Sequence, residues 1–158
     1  MSTSRRIIRE KVMQALYAHE ISDEPIDNIT SEIFKDIKKD TQDYKFACAI
    51  IDRLINNKKE IDHLIIQDID NWGFERLAVI DKIVLRMAIT ELLFFPDIPP
   101  KVTINEAIEV VKKYSTDKSG LFINGILDAI YIKMKEQHKI EKHGRGLIDK
   151  SISKKTDQ

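Results

Sequence analysis

Residues 75–95, ERLAVIDKIVLRMAITELLFF, are the stretch that decides the fold of this chain. When they are placed about 100° apart, as in an α-helix, their apolar side chains point in almost every direction around the axis. A helix that is apolar nearly all round must be surrounded by other helices. The stretch is also too charged, and its apolar runs are too short, to span a bilayer. It therefore predicts the central helix of an all-α domain.

One narrow polar strip interrupts this apolar surface. Lys82, Arg86 and Thr90 recur at i, i+4 and i+8, so they lie along one line of the helix. We expect this strip to stay open to solvent between the surrounding helices. Because it is basic, it is a first indication of a negatively charged ligand.

Apolar residues recur at helical spacing along the rest of the chain, and no strand-like alternation is present. The pattern predicts about seven helices in one domain over residues 1–134. A basic segment without periodicity follows over residues 135–158, and we expect it to be a flexible tail. Two local features add detail. Thr103 and Glu106 predict a capping box at the start of the sixth helix. Gly125, inside the last helix, predicts the close approach of another backbone.

The charge balance restricts the kind of partner. The 158 residues carry 26 basic and 26 acidic side chains, so the formal net charge is zero. A neutral total argues against a protein that coats nucleic acid non-specifically, whereas a local basic patch permits binding at one face. The single cysteine, Cys48, cannot form a disulfide within the chain, which fits a reducing compartment. With no secretory signal visible, we expect a cytoplasmic protein without membrane contact.

No catalytic motif is present. The sequence has no Gly-rich phosphate loop, no HExxH and no GxSxG. Cys48 stands among apolar helix positions, which do not activate a thiol. We therefore expect a protein that is not an enzyme and that needs neither metal nor cofactor.

What remains is a set of cations and aromatic rings on three predicted helices. They are Arg5, Arg6, Arg9 and Tyr17 on the first helix, Lys82 and Arg86 on the central one, and Lys118 and Phe122 at the start of the last. If both ends of the chain pack beside the central helix, these side chains share one surface. Arginines pair with phosphates or stack on bases, and aromatic rings stack on unpaired bases. The set predicts single-stranded RNA as the ligand.

Three stretches carry a family resemblance. SRRIIREKVMQALY, DKIVLRMAITEL and KVTINEAIEVVKKYSTDKSGLFINGILDAI resemble the NusB family of bacterial transcription antitermination factors, and the resemblance covers about residues 4–131. It implies an all-α fold in which two three-helix bundles surround a long central helix. It also implies a non-enzymatic protein that binds the boxA RNA of ribosomal RNA leader transcripts together with the ribosomal protein NusE. Such a protein acts on the RNA polymerase elongation complex indirectly and suppresses termination.

The resemblance also implies site residues. The positions that match RNA-facing motifs of the family are Arg5, Arg6, Arg9, Tyr17, Arg86, Phe122 and Asn124. Glu75 and Asp81 match acidic positions near the NusE contact. The sequence departs from the pattern where Ile7 and Ile8 interrupt the arginine run, and where Lys118 stands at a position that is often acidic in relatives.

Two other functions are compatible with the same residues. A similar helical unit is the RNA-binding appendage of ribosomal RNA cytosine methyltransferases, although 158 residues leave no room for a cofactor-binding domain beside it. The chain could also be a helical interaction module without an RNA partner. The oligomeric state, a homodimer included, stays open.

Overall fold

A computed structural model describes residues 4–147 of the chain. The sequence also predicts Ser2, Thr3 and Ser4 as caps of the first helix. Ser2 and Thr3, like residues 148–158 of the predicted tail, lie outside the described residues. The described part has seven α-helices and no strand: α1 (Arg5–Ser22), α2 (Ile26–Ile33), α3 (Gln42–Asn56), α4 (Lys58–Glu75), α5 (Val79–Phe94), α6 (Pro100–Tyr114) and α7 (Asp117–Glu136). A short 3₁₀ turn, Gly144–Leu147, follows α7.

The central helix is α5, as the sequence predicts. Its side chains Leu85, Ile89 and Leu92 are completely buried. The group α1–α3 packs on one side of α5 through α1 and α3, and α4, α6 and α7 cover the rest of its circumference. The all-α arrangement of two helical groups around one helix is confirmed. None of the helices in the described part is long and apolar enough to cross a bilayer.

The central helix begins later than predicted. It starts at Val79 rather than at residue 75, because α4 continues to Glu75 beyond a break at Asp70. Asp70 has φ 64° and ψ 167°, and its Oδ1 accepts a hydrogen bond of 2.6 Å from the N–H of Gly73. The side chain thus restarts the helix after the break. Glu75 therefore ends α4 instead of opening α5.

The predicted capping box is wrong. Helix α6 begins at Pro100, whose fixed φ suits the first helical position. Thr103 consequently lies inside the helix, is buried, and donates a hydrogen bond of 3.0 Å to Oε1 of Glu91 on α5. Glu106 binds Arg6 on α1 instead of an N–H of its own helix. Both side chains hold helices together rather than cap one.

The close approach predicted at Gly125 is also wrong, since a Cβ there would meet open space. The tight position of α7 is Gly120, where a Cβ would lie 2.9 Å from Cγ of Lys112 on α6.

The chain after α7 does not leave the domain at once. Residues 137–147, which we call the C-terminal strap, cross the end of α5. The N–H of His143 donates to the carbonyl oxygen of Pro96 at 3.2 Å. Gly146 is buried, and a Cβ there would lie 1.8 Å from the same oxygen, so only glycine fits. The expected tail thus begins with a packed segment, because the connector after α5 offers it backbone acceptors.

Candidate nucleic-acid interface

Arg5 and Arg6 begin α1, and both are exposed. The guanidinium of Arg5 lies 4.0 Å from the ring centroid of Phe46 and 3.5 Å from Oδ1 of Asp43, both on α3. Arg6 turns the other way and binds Glu106 of α6 through Nε and Nη2, with a shortest distance of 2.6 Å. Its side chain keeps 48% of its surface exposed. The two arginines therefore border α1 on opposite sides.

Arg9 is not on the surface, contrary to the prediction. Its side chain is only 5% exposed, and it binds the carboxylate of Glu91 through Nε at 2.9 Å and Nη2 at 2.7 Å. Nη1 also lies 3.7 Å from Oε1 of Glu106. Burial would lower the pKa of Arg9, but the hydrogen bonds to Glu91 outweigh it and raise the pKa. Arg9 stays charged and joins α1 to α5, so it cannot bind phosphate in this conformation.

A second cluster joins α1 to the end of α6. Glu10 accepts hydrogen bonds from Nζ of Lys113 at 2.8 Å and from the hydroxyl of Tyr114 at 2.6 Å. Gln14 donates to the same hydroxyl at 3.2 Å. Burial would raise the pKa of Glu10, but the hydrogen bonds from Lys113 and Tyr114 hold it below its ordinary value. Glu10 is thus a carboxylate that keeps the Lys113 ammonium beside α1.

Sequence reasoning did not assign Lys113 and Tyr114 to a site. The helical pattern of α6 predicts only that Lys113 faces water, and it assigns no role to Tyr114. The signal that could have revealed them is the run Lys112-Lys113-Tyr114, two cations and a ring at a helix end.

Tyr17 lies along the same line of α1 as Arg6 and Glu10. Its side chain is exposed, in agreement with the sequence analysis, at 37%. Met13 lies on the same line, where the sequence is compatible with either a second packing contact or a binding face; it is 2% exposed and packs in the core.

The start of α7 carries further predicted residues. Thr116 caps the helix by accepting from the N–H of Ser119 at 3.0 Å, and Oγ of Ser119 donates to Oδ2 of Asp81 on α5 at 3.0 Å. This contact fixes α7 beside the start of α5. Lys118 and Phe122 are both exposed there, as predicted. Asn124 is exposed too, in a groove of about 410 Å³ between α6 and α7.

The two predicted partner residues differ in access. Glu75 is exposed at the end of α4. Asp81 is buried, and its Oδ1 has no hydrogen-bond partner within residues 4–147. The prediction that Asp81 contacts a partner directly is not supported by this geometry, because α7 covers it.

The polar strip of α5 is closed rather than open. Arg86 is 6% exposed and binds Asp62 of α4 through Nε at 2.7 Å and Nη2 at 3.1 Å. Thr90 is fully buried and donates to the carbonyl oxygen of Arg86. Lys82 is half-buried, with Nζ 5.0 Å from the ring centroid of Phe74 on α4. The strip is covered because α4 supplies a carboxylate and a ring for it.

The α5 members of the predicted patch are therefore covered, Arg86 almost fully and Lys82 in part. Positions 82 and 86 of α5 face α4, whereas Val84, Ala88 and Glu91 face α1 and α6. Arg86 also lines a cavity with Leu16 and His19 of α1, so it lies beneath the surface between α1 and α4. We use the name α1–α6–α7 face for the exposed cations and rings that remain on these three helices: Arg6, Tyr17, Lys113, Lys118 and Phe122. Within residues 4–147 no group of acidic, histidine and cysteine side chains could hold a metal ion.

A family model for NusB matches residues 6–132, most of the chain. The chain belongs to the NusB family. It is 48% identical over 150 residues to the transcription antitermination protein NusB of Chloroherpeton thalassium, a match that covers 94% of this chain and 71% of that NusB. With the NusB of Salinibacter ruber it shares 42% identity over 147 residues, covering 92% of each.

Solved NusB structures have the same fold. The T. maritima NusB structure has a TM-score of 0.77 and 41% identity, over 89% of this chain and 100% of that one. NusB in a complex of NusB and NusE with double-stranded RNA has a TM-score of 0.74 and 28% identity, over 82% and 96% of the two chains. The all-α architecture around α5 is therefore the NusB fold.

Proposed function

We propose that this chain is a transcription antitermination factor that binds the boxA RNA of ribosomal RNA leader transcripts together with NusE, and thereby suppresses termination by RNA polymerase. Membership of the NusB family supports this, as does the solved complex of a relative with NusE and RNA. The observation in this chain that carries the proposal is the α1–α6–α7 face, where three cations accompany two exposed rings.

Carboxylates hold two cations of this face in position but leave part of each cation free to bind a ligand. Glu106 engages Nε and Nη2 of Arg6, which leaves Nη1 to donate to a phosphate. Glu10 takes one of the three Nζ protons of Lys113 and leaves the others. Carboxylates therefore hold both side chains in one place while part of each points to solvent. A fixed cation loses less conformational entropy when it binds.

The rings supply contacts that a phosphate-binding surface alone would lack. Tyr17 and Phe122 expose faces on which unpaired bases can stack, and each stacked base is worth roughly 1–3 kcal/mol. This combination favours unpaired RNA over a plain helical interaction module, which needs no cations beside its rings.

The test is a titration of labelled boxA RNA, single-stranded and as a duplex, at several salt concentrations. If about four phosphates are contacted, the log–log slope of affinity against salt should be about −3, since each contributes about −0.7 on a single strand. Affinity without any salt dependence, or equal affinity for an unrelated RNA, would contradict the proposed function.

NusE is the proposed protein partner, and Glu75 the residue proposed to face it. Titrations of boxA RNA with and without NusE should show tighter binding when NusE is present. Glu75→Lys should reduce that gain and leave the affinity for RNA alone unchanged. If NusE does not associate with the wild-type chain in a pull-down, this part is wrong.

We propose that the role is binding rather than catalysis, exercised in the cytoplasm where bacterial transcripts are made. The methyltransferase alternative predicts methyl transfer to ribosomal RNA, and turnover in such an assay would overturn our proposal.

A further inference from the structure

The C-terminal strap ends on the last turn of α5. Nζ of Lys142 donates hydrogen bonds to the carbonyl oxygens of Glu91 at 3.2 Å and of Phe95 at 2.8 Å. Each of these oxygens also accepts a backbone N–H at 3.1 Å, from Phe95 and from Ile98 respectively, so Lys142 is a second donor at this helix end, where a cation also interacts favourably with the helix dipole. Lys142 is therefore a C-terminal cap supplied from 47 and 51 residues further along the chain.

Glu91 connects this cap to α1. Its backbone oxygen accepts from Lys142, while its carboxylate binds Arg9 and accepts from Thr103. Arg9 also lies beside Glu106, which in turn binds Arg6. A continuous series of contacts thus runs from the strap, through buried charges, to an exposed arginine of the α1–α6–α7 face.

We propose that Lys142 is a positioning residue for RNA binding, which fixes Arg6 through Glu91, Arg9 and Glu106. The proposal rests on the proposed function, because it assigns Arg6 to the RNA. Lys142 itself does not touch the α1–α6–α7 face. It holds the last turn of α5, and the direction of the Glu91 side chain depends on that turn.

The surroundings of Lys142 leave few other roles for it. The carboxylates that act on its ammonium group are those of Glu91 and Asp97, and Lys135 lies in the same recess. Lys142 forms no ion pair with either carboxylate within residues 4–147, and its hydrogen bonds go to backbone oxygens. Gly146 keeps the strap in place, since no larger residue fits beneath Pro96.

The experiment is a double-mutant cycle on boxA affinity. Lys142→Met should weaken binding about fivefold, the equivalent of losing one cation at a helix C-terminus. In an Arg6→Ala background the same change should have almost no further effect, because the side chain that it positions is gone. Lys139→Met is the matched control: it removes the same charge from the strap, but its side chain is exposed and contacts no carbonyl group within residues 4–147.

Equal losses for Lys142→Met and Lys139→Met, or the same loss with and without Arg6, would overturn the proposal. Lys142→Arg should keep most of the affinity, because it retains the charge and the donors. A structural readout that is independent of RNA is the solvent exchange of the Arg9 Nε proton, followed by NMR. Lys142→Met should accelerate this exchange and Lys139→Met should not; unchanged exchange would also overturn it.

These readouts separate the two proposals. If the wild-type chain binds no boxA RNA, the proposed function fails, while the exchange of the Arg9 proton still decides whether Lys142 positions the buried charges.

Discussion

A buried arginine forms an ion pair with a carboxylate on each of two sides of α5, but the two pairs have different surroundings. On the α4 side, Arg86 binds Asp62, and no further ion pair continues from either side chain within residues 4–147. On the α1–α6 side, Arg9 binds Glu91 in the same bidentate way, but the contacts continue through a second carboxylate to the exposed Arg6. The role of a buried arginine therefore depends on whether further ion pairs link it to an exposed side chain.

The largest expected effect is on the α1–α6 side. Glu91→Gln should destabilise the protein by about 3 kcal/mol, because it leaves the buried Arg9 with only the more distant carboxylate of Glu106, 3.7 Å from its Nη1. Urea unfolding followed by circular dichroism measures it. Glu109→Gln on exposed α6 surface is the control, and an equal loss there would contradict the assignment.

A smaller loss of stability is expected on the α4 side. Asp62→Asn removes the charge that faces Arg86, and a hydrogen bond to a charged group is worth roughly 1.5–3 kcal/mol. The affinity for boxA RNA should stay unchanged at a temperature where the variant is folded. If RNA binding weakens together with stability, the α4 side belongs to the interface after all.

Substitution of exposed aromatic side chains should test most directly which surface binds RNA. Tyr17→Ala and Phe122→Ala should each weaken boxA binding by roughly 1–3 kcal/mol without unfolding the protein. Trp72→Ala is the control, since Trp72 is 69% exposed but stacks on Arg76 at the end of α4. If Trp72→Ala weakens binding as much as the other two substitutions, the RNA-binding site includes the end of α4.

The smallest effect concerns pH. Burial lowers the pKa of Lys142 from its ordinary 10.5 to about 8, although the charges of Glu91 and Asp97 act the other way. Between these values the unfolded chain binds more protons than the folded one, so this group makes stability rise with pH. The unfolding free energy of the wild type relative to Lys142→Met should therefore increase between pH 8 and 10. A difference that is flat over this range would show that the lysine is well solvated.

The all-round apolar pattern of residues 75–95 was enough to predict the central helix, which spans residues 79–94, because burial on every side leaves a signal within one helix. The burial of Arg86 against α4 could not be predicted in this way. Its partner Asp62 is 24 residues away, and periodicity describes each helix without its neighbours. Thr103 was misread for the same reason, since its acceptor lies on α5.

The sequence could predict which candidate side chains are exposed when a position on the outer side of a helix alone decides their exposure. Tyr17, Lys118 and Phe122 needed only an outward position at a helix surface. Arg6 and Arg9, in contrast, are three residues apart and equally basic, yet one is half exposed and the other enclosed. Only the positions of Glu91 and Glu106 in space distinguish them.

The packing of Gly146 beneath Pro96 has a consequence for the choice of fragment boundaries in binding experiments. A fragment trimmed to the family match at residue 132 would retain every cation and ring of the α1–α6–α7 face, yet it would lack Gly146 and Lys142, which hold the strap against the end of α5. Weak binding by such a shortened protein would then reflect a lost brace, and not a poor choice of RNA.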